Sequence, residues 1–233
     1  MSYPIVRLKQ GKEVPLLRHH PWVFSGAVKD VEGKPEEGSL VEVQAANGRV
    51  LGIGHYQEAS IRVRILAEAS IQIDQAFWNQ RMSACFQRRR TILLPGGGTN
   101  IYRLVHGEGD FLPGLIVDVY GSTAVVQCHT AGMHRSREQI SSAILFASGG
   151  QIRRIFDKSF ETPAGLPTHV YLAGQYEEEV CTENGLSFKV DYEQGQKTGF
   201  FIDQRENREL LRKYAAGKSV LNTFCYSGGF SVY

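Results

Sequence analysis

Cysteine is scarce in this chain. Its four thiols, Cys85, Cys128, Cys181 and Cys225, are widely spaced, form no C-x-x-C pair and have no clustered histidines beside them. That spacing excludes a zinc site and a disulfide framework, so the thiols are expected to be reduced and mostly buried. Excess charge is lacking too: 26 Lys and Arg stand against 24 Asp and Glu, a net charge of +2. A balance so even does not announce a nucleic acid, and any RNA contact has to rest on where the basic residues lie. No uninterrupted apolar run approaches a membrane span, and the start MSYPIVRLKQ lacks the apolar core of a signal peptide. The expectation is a cytoplasmic protein with no membrane partner and no metal. Internal repeats and low-complexity segments are also missing.

What is present is an ordinary globular composition, 42% hydrophobic and 21% charged. From Ile5 to about Glu68 the chain reads as short strands at Ile5–Lys9, Val23–Ser25, Ser39–Val43, Val50–Gly54 and Ile61–Leu66. Gly11, Gly33-Lys34-Pro35, Gly38 and Asn47-Gly48 punctuate them, and Asn47-Gly48 is the strongest hairpin signal in the sequence. Strands this short and this evenly spaced predict a small closed barrel. Trp22 and Phe24 are expected to be core, as large aromatics usually are. Arg18, with His19 and His20 beside it, suits either RNA phosphates or a solvated surface. Arg62 and Arg64 alternate with Val63 and Ile65, so both point to one face, either solvated or RNA-facing.

A helix is predicted from Asp74, its N-cap, to Leu94, stopped by Pro95-Gly96-Gly97-Gly98. The run Arg88-Arg89-Arg90 is expected to be a solvated helix end. Strands follow at Ile101–Val105, Leu115–Val119 and Ala124–Cys128, then a helix from about His134 to Ala147 and a strand at Ile152–Phe156. Pro113-Gly114 suits a type II turn. Glu108, Asp110 and Asp118 are expected to be solvent-exposed turn acids rather than a paired-carboxylate site. A proline-bearing connector spans Asp157 to Gly174. The acidic triplet Glu177–Glu179 reads as an exposed strand entry, and a hairpin turns at Glu183-Asn184-Gly185.

The chain is organised around Gly195 to Tyr233, GQKTGFFIDQRENRELLRKYAAGKSVLNTFCYSGGFSVY. Asp203 is a candidate N-cap with Glu206 as its capping-box partner, Leu210, Leu211 and Tyr214 form an apolar face, and Gly217 is the stop. Val220, Leu221 and Phe224 read as a short core strand. It opens onto Tyr226-Ser227-Gly228-Gly229, where residues without a Cβ let backbone approach a ligand closely. In an open α/β sheet, ligands bind at the carboxyl end of such a strand.

Three strings carry a resemblance. KTGFFIDQREN with VLNTFCYSGGFSV, Arg103 to Asp118, and Leu17 to Gly26 with the strands after it together resemble the bacterial methyltransferases that modify carbon 5 of a cytosine in large-subunit ribosomal RNA. The resemblance implies a mixed α/β chain. An N-terminal PUA-type β-barrel would occupy residues 1–70 and a central small α/β domain residues 71–190. Residues 191–233 would begin a Rossmann-like class I methyltransferase domain that stops after its first motif. It implies S-adenosylmethionine as cofactor and large-subunit ribosomal RNA as partner, and it leaves a homodimer open. The matching positions put Phe200 and Phe201 on the adenine pocket, Asp203, Gln204 and Arg205 in loop geometry or polar contacts, and Asn222, Phe224, Ser227 and Gly228 at the methionine end. For RNA the matching positions are Arg18, His19, Arg62 and Arg64.

The implied chemistry needs a cysteine thiolate adding to carbon 6 of the ring, after which carbon 5 takes the methyl group and a base removes its proton. None of the four cysteines sits in the family's nucleophile context, which follows Pro or Thr in a later loop. The expectation is therefore that the nucleophile lies beyond Tyr233 and that these 233 residues alone are inactive. The alternative is a non-catalytic RNA-binding protein with a vestigial cofactor motif.

Overall fold

The structure is a computed structural model that describes residues 3–68, 71–160 and 168–233. Pro163 and Pro167, the prolines expected in the connector, lie outside the described residues.

The first third holds β1 (Ile5–Leu8), α1 (Val14–Leu17), β2 (Trp22–Phe24), β3 (Val28–Glu32), β4 (Leu40–Gln44), β5 (Val50–Tyr56) and β6 (Ile61–Ala67). These strands form one six-stranded sheet in the order β2-β6-β5-β4-β1-β3. Its two edge strands, β2 and β3, are joined by a single turn at Ser25–Ala27, so the sheet must curl until its ends meet. Alternation explains the filling of the barrel: Val6 and Leu8, Val41 and Val43, Val23 and Val63 all turn inward onto Tyr56. The Asn47-Gly48 turn joins β4 to β5 as expected, with Gly48 at φ +82° and the Arg49 N–H donating to Asn47 Oδ1 at 3.1 Å. Strand β3 was not legible, because VKDVE is too polar to announce itself. It is held by β1, whose Arg7 reaches across to Asp30 at 3.1 Å and Glu32 at 2.7 Å.

The next unit contains α2 (Gln75–Thr91), β7 (Ile101–His106), β8 (Leu115–Tyr120), β9 (Thr123–Cys128), α3 (Ala131–Arg135), α4 (Arg137–Ser148), β10 (Arg154–Asp157) and β11 (Val170–Ala173). The five strands run β11-β10-β9-β8-β7, and only β9 and β10 are parallel, with α3 and α4 as their crossover. Asp74 caps α2 as predicted, its carboxylate accepting from the Phe77 N–H at 3.0 Å. Helices α2 and α4 cover one face of the sheet, where Trp78, Met82, Phe86, Ile140 and Ile144 meet Leu104, Val117 and Val126. On the other face Ile101, Tyr120, Val125 and Phe156 pack against the hairpin of β12 (Val180–Glu183) and β13 (Leu186–Lys189). Leu112 to Leu115 turns as Pro113-Gly114 requires, with Gly114 at φ +86° and the Leu115 N–H donating to the Leu112 carbonyl at 3.0 Å.

Several expectations are corrected here, and buried ion pairs account for most of them. Arg89 is not solvated: it is buried and grips Asp110 with two bonds, at 2.7 and 2.6 Å, while Arg88 joins the same carboxylate. Asp110 and Asp118 are not exposed turn acids but buried counter-ions, to Arg89 and Arg103 respectively. Burial alone would raise the Asp110 carboxyl, but Arg89 and the His106 N–H together hold it below the usual range. In the acidic triplet Glu177 and Glu178 are exposed as expected, but Glu179 is partly buried: it pairs with the buried Arg154, as Glu177 also does, and accepts from the Ser122 N–H and hydroxyl.

After a short 3-10 turn at Ile202–Gln204 comes α5 (Arg205–Ala215), and the last element is α6 (Gly229–Val232). Asp203 does not cap α5, since the 3-10 turn displaces the helix start to Gln204, which makes no side-chain cap. Gly217 does follow the helix end, at φ +70°. Leu210 and Tyr214 are exposed, and the residue that α5 buries is Arg208. Val220, Leu221 and Phe224 form no strand: among the described residues no strand lies alongside to pair with them, and Phe224 is fully exposed.

Trp22 and Phe24 are not core either. Phe24 is 48% exposed, and both rings stand at the barrel surface with His20, at centroid distances of 5.7 Å (His20 to Trp22) and 6.1 Å (Trp22 to Phe24). The narrow interior is already filled by valines and leucines, and β2 sends only Val23 inward. No helix among the described residues is long and apolar enough to cross a membrane.

Candidate functional site

The loop from Asp191 to Phe201 is built on two tight turns. The Gly195 N–H donates to the Asp191 carbonyl at 3.0 Å and the Gly199 N–H to the Gln196 carbonyl at 2.8 Å. Gly199 has φ +124°, and a Cβ there would stand 2.8 Å from the Tyr192 Cα, so only glycine fits. Within the second turn Thr198 points inward, donating its hydroxyl to Asp118 Oδ2 at 2.6 Å and meeting the Tyr120 hydroxyl at 2.8 Å. Arg103 grips Asp118 from the other side at 2.8 and 3.0 Å. Burial drives the Tyr120 hydroxyl far up from its ordinary pKa, so it stays protonated and serves as a donor or acceptor only.

This anchoring leaves Lys197 outside, at φ +52°, with its ammonium 4.6 Å from the centre of the Phe201 ring. The two phenylalanines divide. Phe200 is buried against Phe188 at 5.1 Å, with the Arg208 guanidinium over it at 4.5 Å. Arg208 is itself gripped by Glu183 at 2.8 and 2.7 Å, and Tyr233 donates to the same carboxylate at 2.9 Å. Phe201 is only half-buried and faces Tyr226 edge-on at 5.4 Å. Of the pair, Phe201 alone is available to a ligand.

Tyr226 joins the two segments that the sequence singled out. Its hydroxyl accepts from the Gln196 N–H at 2.6 Å and reaches the Gly199 carbonyl at 3.4 Å. Gly229 packs against Phe200 and Arg208, where a Cβ would stand at 3.5 Å from both. Gly228 differs: at φ +71° its missing Cβ would meet nothing within 4 Å, so its backbone borders open space. Asn222 donates to Ser231 Oγ at 2.7 Å and steadies the turn, while Ser227 and Phe224 are exposed. Asp203 is exposed, Gln204 accepts from Asn207 at 2.9 Å, and Arg205 pairs with Glu206 at 3.2 Å. Sequence reasoning missed Thr198, Tyr226, Arg103 and Asp118 as the parts that hold this arrangement. A buried threonine wedged between Lys197 and Gly199 was the available signal.

The proposed RNA residues are dispersed over the barrel. Arg18 is exposed, and His19 is exposed at φ +61° with its ring nitrogen 3.9 Å from Glu68. Arg62 is engaged by Glu58 and by the Tyr56 hydroxyl, and the partly buried Arg64 is engaged by Gln57.

Residues 6–68 match a PUA-like domain, and residues 92–233 match the S-adenosylmethionine-dependent methyltransferase family. The chain belongs to the S-adenosylmethionine-dependent methyltransferase family. Both glycine-bearing segments lie inside the matched residues. The chain is 39% identical to "Ribosomal RNA large subunit methyltransferase I" of Shewanella amazonensis and 37% identical to the protein of that name from Aeromonas salmonicida. Each alignment covers 98% of this chain and 59% of the relative, so the chain spans about three-fifths of the length of these curated relatives. Among solved structures, a protein described as a SAM-dependent methyltransferase from Streptococcus mutans superposes with a TM-score of 0.77 at 22% identity, covering 99% of this chain and 59% of that one. A second, described as a methyltransferase complexed with SAH, gives 0.79 at 22% identity over the same shares. These two establish likeness of fold. S-adenosylmethionine is the family's cofactor, and the residues present suit it: an open glycine backbone at Gly228, a half-exposed ring at Phe201 and a fixed loop between them.

Proposed function

We propose that this chain forms part of an enzyme that methylates carbon 5 of a cytosine in large-subunit ribosomal RNA, acting in the cytoplasm. In this reading residues 1–70 are the RNA-binding barrel, 71–190 the central domain and 191–233 the start of the catalytic domain. The observation that carries it is the bond from the Gln196 N–H to the Tyr226 hydroxyl, which sets the Lys-Thr-Gly loop and the Ser-Gly-Gly turn side by side. The names of the relatives favour large-subunit RNA as substrate.

The cofactor, when bound, supplies an electrophilic methyl group. Gly228 would accept close approach of its methionine end, and Phe201, the exposed ring of the pair, would take the adenine; Asn222, Ser227, Asp203, Gln204 and Arg205 would edge the pocket. Phe200 belongs beneath this surface, supporting it. On the barrel, Arg18 is exposed and His19 is exposed beside Glu68, and the surface rings of Trp22 and Phe24 add stacking area suited to unpaired bases. Arg62 and Arg64 would meet RNA only by exchanging their present partners.

Three of the thiols suit no nucleophilic role. Cys85, Cys128 and Cys181 are buried, which pushes them up to about 11, 12 and 12. A thiol so raised is almost wholly protonated at neutral pH, whereas the attack requires thiolate. We therefore assign the nucleophile to none of these three; Cys225 is exposed, but it lies within the cofactor motif itself, and we propose that it too serves there rather than attacking the ring, so that the 233 residues alone do not complete the transfer.

Nucleoside mass spectrometry of large-subunit RNA from cells with and without the gene tests the reading. Loss of 5-methylcytidine, restored by the intact gene, is expected. An unchanged 5-methylcytidine content, or loss of a methyl group from another base, would overturn it.

A further inference from the structure

A cavity of about 610 Å³ opens beside the Lys-Thr-Gly loop, at the carboxyl ends of the parallel strands β9 and β10. Gln127, Phe156, Lys158, His169, Tyr171 and Lys197 line it. The crevice beyond such strand ends is where open α/β sheets take ligands. None of these residues except Lys197 has a part in the cofactor surface described above.

We propose that this cavity holds one unpaired nucleotide of the substrate RNA, its base against the aromatic wall and its phosphate toward Lys158 and Lys197. This rests on the RNA-methylating reading and adds a second point of RNA contact next to the cofactor loop.

The chemistry of the lining argues for it. Phe156 is buried and forms the floor, with the Tyr171 ring centred 5.0 Å from it and the His169 ring 6.4 Å from it. Such a wall offers flat apolar area to a base of any kind. Phe160 also lines the cavity, is 67% exposed, and stands with the His129 ring centred 6.0 Å from it, so most of its surface is open to a base. Lys158 is almost fully buried, yet its ammonium donates to a neutral acceptor, the Gly195 carbonyl, at 2.5 Å. Among the described residues no carboxylate pairs with it directly, although Asp191 lies close enough to act on its charge. Burial pushes its pKa down against the pull of Asp191, and an arriving phosphate would add to that pull. Gln127, also buried, presents an amide whose nitrogen donates to the Lys158 carbonyl at 3.3 Å and whose oxygen can accept from an exocyclic amine. The one carboxylate in the lining, Glu193, is engaged by the Tyr171 hydroxyl at 2.8 Å.

The test uses the whole chain and a short unpaired oligoribonucleotide, with a duplex of the same sequence as comparison. Phe160→Ala and His169→Asn are chosen because both side chains are exposed, and asparagine tolerates the φ of +58° at 169. Phe160→Ala is expected to weaken binding of the unpaired strand on the order of tenfold, without changing the salt slope, since no charge is removed. Duplex affinity should stay as it was. An oligoribonucleotide carrying 5-iodouridine should photo-crosslink to Phe160 or Tyr171. If both variants bind the unpaired strand normally while Arg18→Glu weakens it, the cavity assignment falls and the RNA reading stands. If the unaltered chain binds no RNA, both fall. Cytidine monophosphate binding more tightly than the oligomer would make this a free-nucleotide site and overturn the assignment to RNA.

Discussion

The Thr198 hydroxyl donates to Asp118 at 2.6 Å, tying the loop that begins the last segment to a strand 80 residues earlier in the chain. Asp118 is wholly buried, and Arg103 holds it in a two-point grip. The loop bearing Lys197 and Phe201 is therefore positioned by the central sheet. Thr198→Val should keep the fold, lose the hydrogen bond to charged Asp118, worth roughly 1.5–3 kcal/mol, together with the contact to the Tyr120 hydroxyl, and loosen residues 195–201. Amide hydrogen exchange would show this as faster exchange at Gly195 and Gly199, with the sheet unaffected. Asp118→Asn should cost a similar amount, roughly 1.5–3 kcal/mol, because it weakens the bonds from Arg103, whose side chain is 37% exposed and can turn to water.

Gly228→Val should abolish cofactor binding with little loss of global stability. The residue sits in left-handed backbone at φ +71°, which a β-branched side chain adopts only at a cost of roughly 1–2 kcal/mol. Its side chain would enter the open space that the cofactor is proposed to use. Calorimetry on the enzyme carrying this variant, with thermal melting alongside, checks it. Normal cofactor affinity would remove Gly228 from the site.

RNA binding through the barrel should be salt-dependent, with a log–log slope of about −0.7 to −0.9 per phosphate contact. Arg18→Glu should weaken it for all sequences alike. Arg62→Glu should do less, because Arg62 is already engaged by Glu58 and Tyr56. A flat salt dependence, or no effect of Arg18→Glu, would make the barrel structural only.

The fit of barrel to central unit should weaken in acid. His55 of β5 packs against Gly132 of α3 so closely that a Cβ on Gly132 would overlap the ring, and its Nδ1 has no hydrogen-bond partner among the described residues. Burial, helped by Arg64 opposite it, lowers His55 from 6.5 to about 3. The folded state thus holds a neutral ring where the unfolded chain takes up a proton. Its contribution is fully present above pH 6.5 and is lost as pH falls toward 3, at up to about 1.4 kcal/mol per pH unit. Denaturant melts of the wild type and His55→Gln between these limits should converge as pH falls. Parallel curves would exclude His55 as the source.

Local rules carried much of this structure. The Asn47-Gly48 and Pro113-Gly114 turns, the Asp74 cap and the alternating strands of the barrel follow from neighbours in sequence, and each was legible. What was not legible depended on distant partners. Arg88-Arg89-Arg90 looks like a solvated helix end until Asp110 is folded beneath it, and Glu179 looks exposed until Arg154 arrives. The apolar run at Val220 to Phe224 has strand composition, yet composition makes a strand only where another strand stands beside it. At the site, the glycines at 228 and 229 pointed to close backbone approach, whereas the tight turns that need Gly195 and Gly199 were not legible. The Tyr226 hydroxyl that joins the two segments left no mark in the sequence beyond its place before Ser-Gly-Gly.

In the proposed cofactor surface, residues 195–201 and 222–229 come together, with Phe201 and Gly228 toward the ligand and Phe200 beneath it. The most direct measurement is amide chemical-shift mapping of the isotope-labelled chain titrated with S-adenosylhomocysteine, which reports weak binding as readily as tight. Shifts concentrated at Gly195, Lys197, Phe201, Gly228 and Gly229, and absent in Gly228→Val, are the predicted result. Shifts confined to the barrel or to the helices over the central sheet, or a pattern that Gly228→Val leaves unchanged, would contradict it.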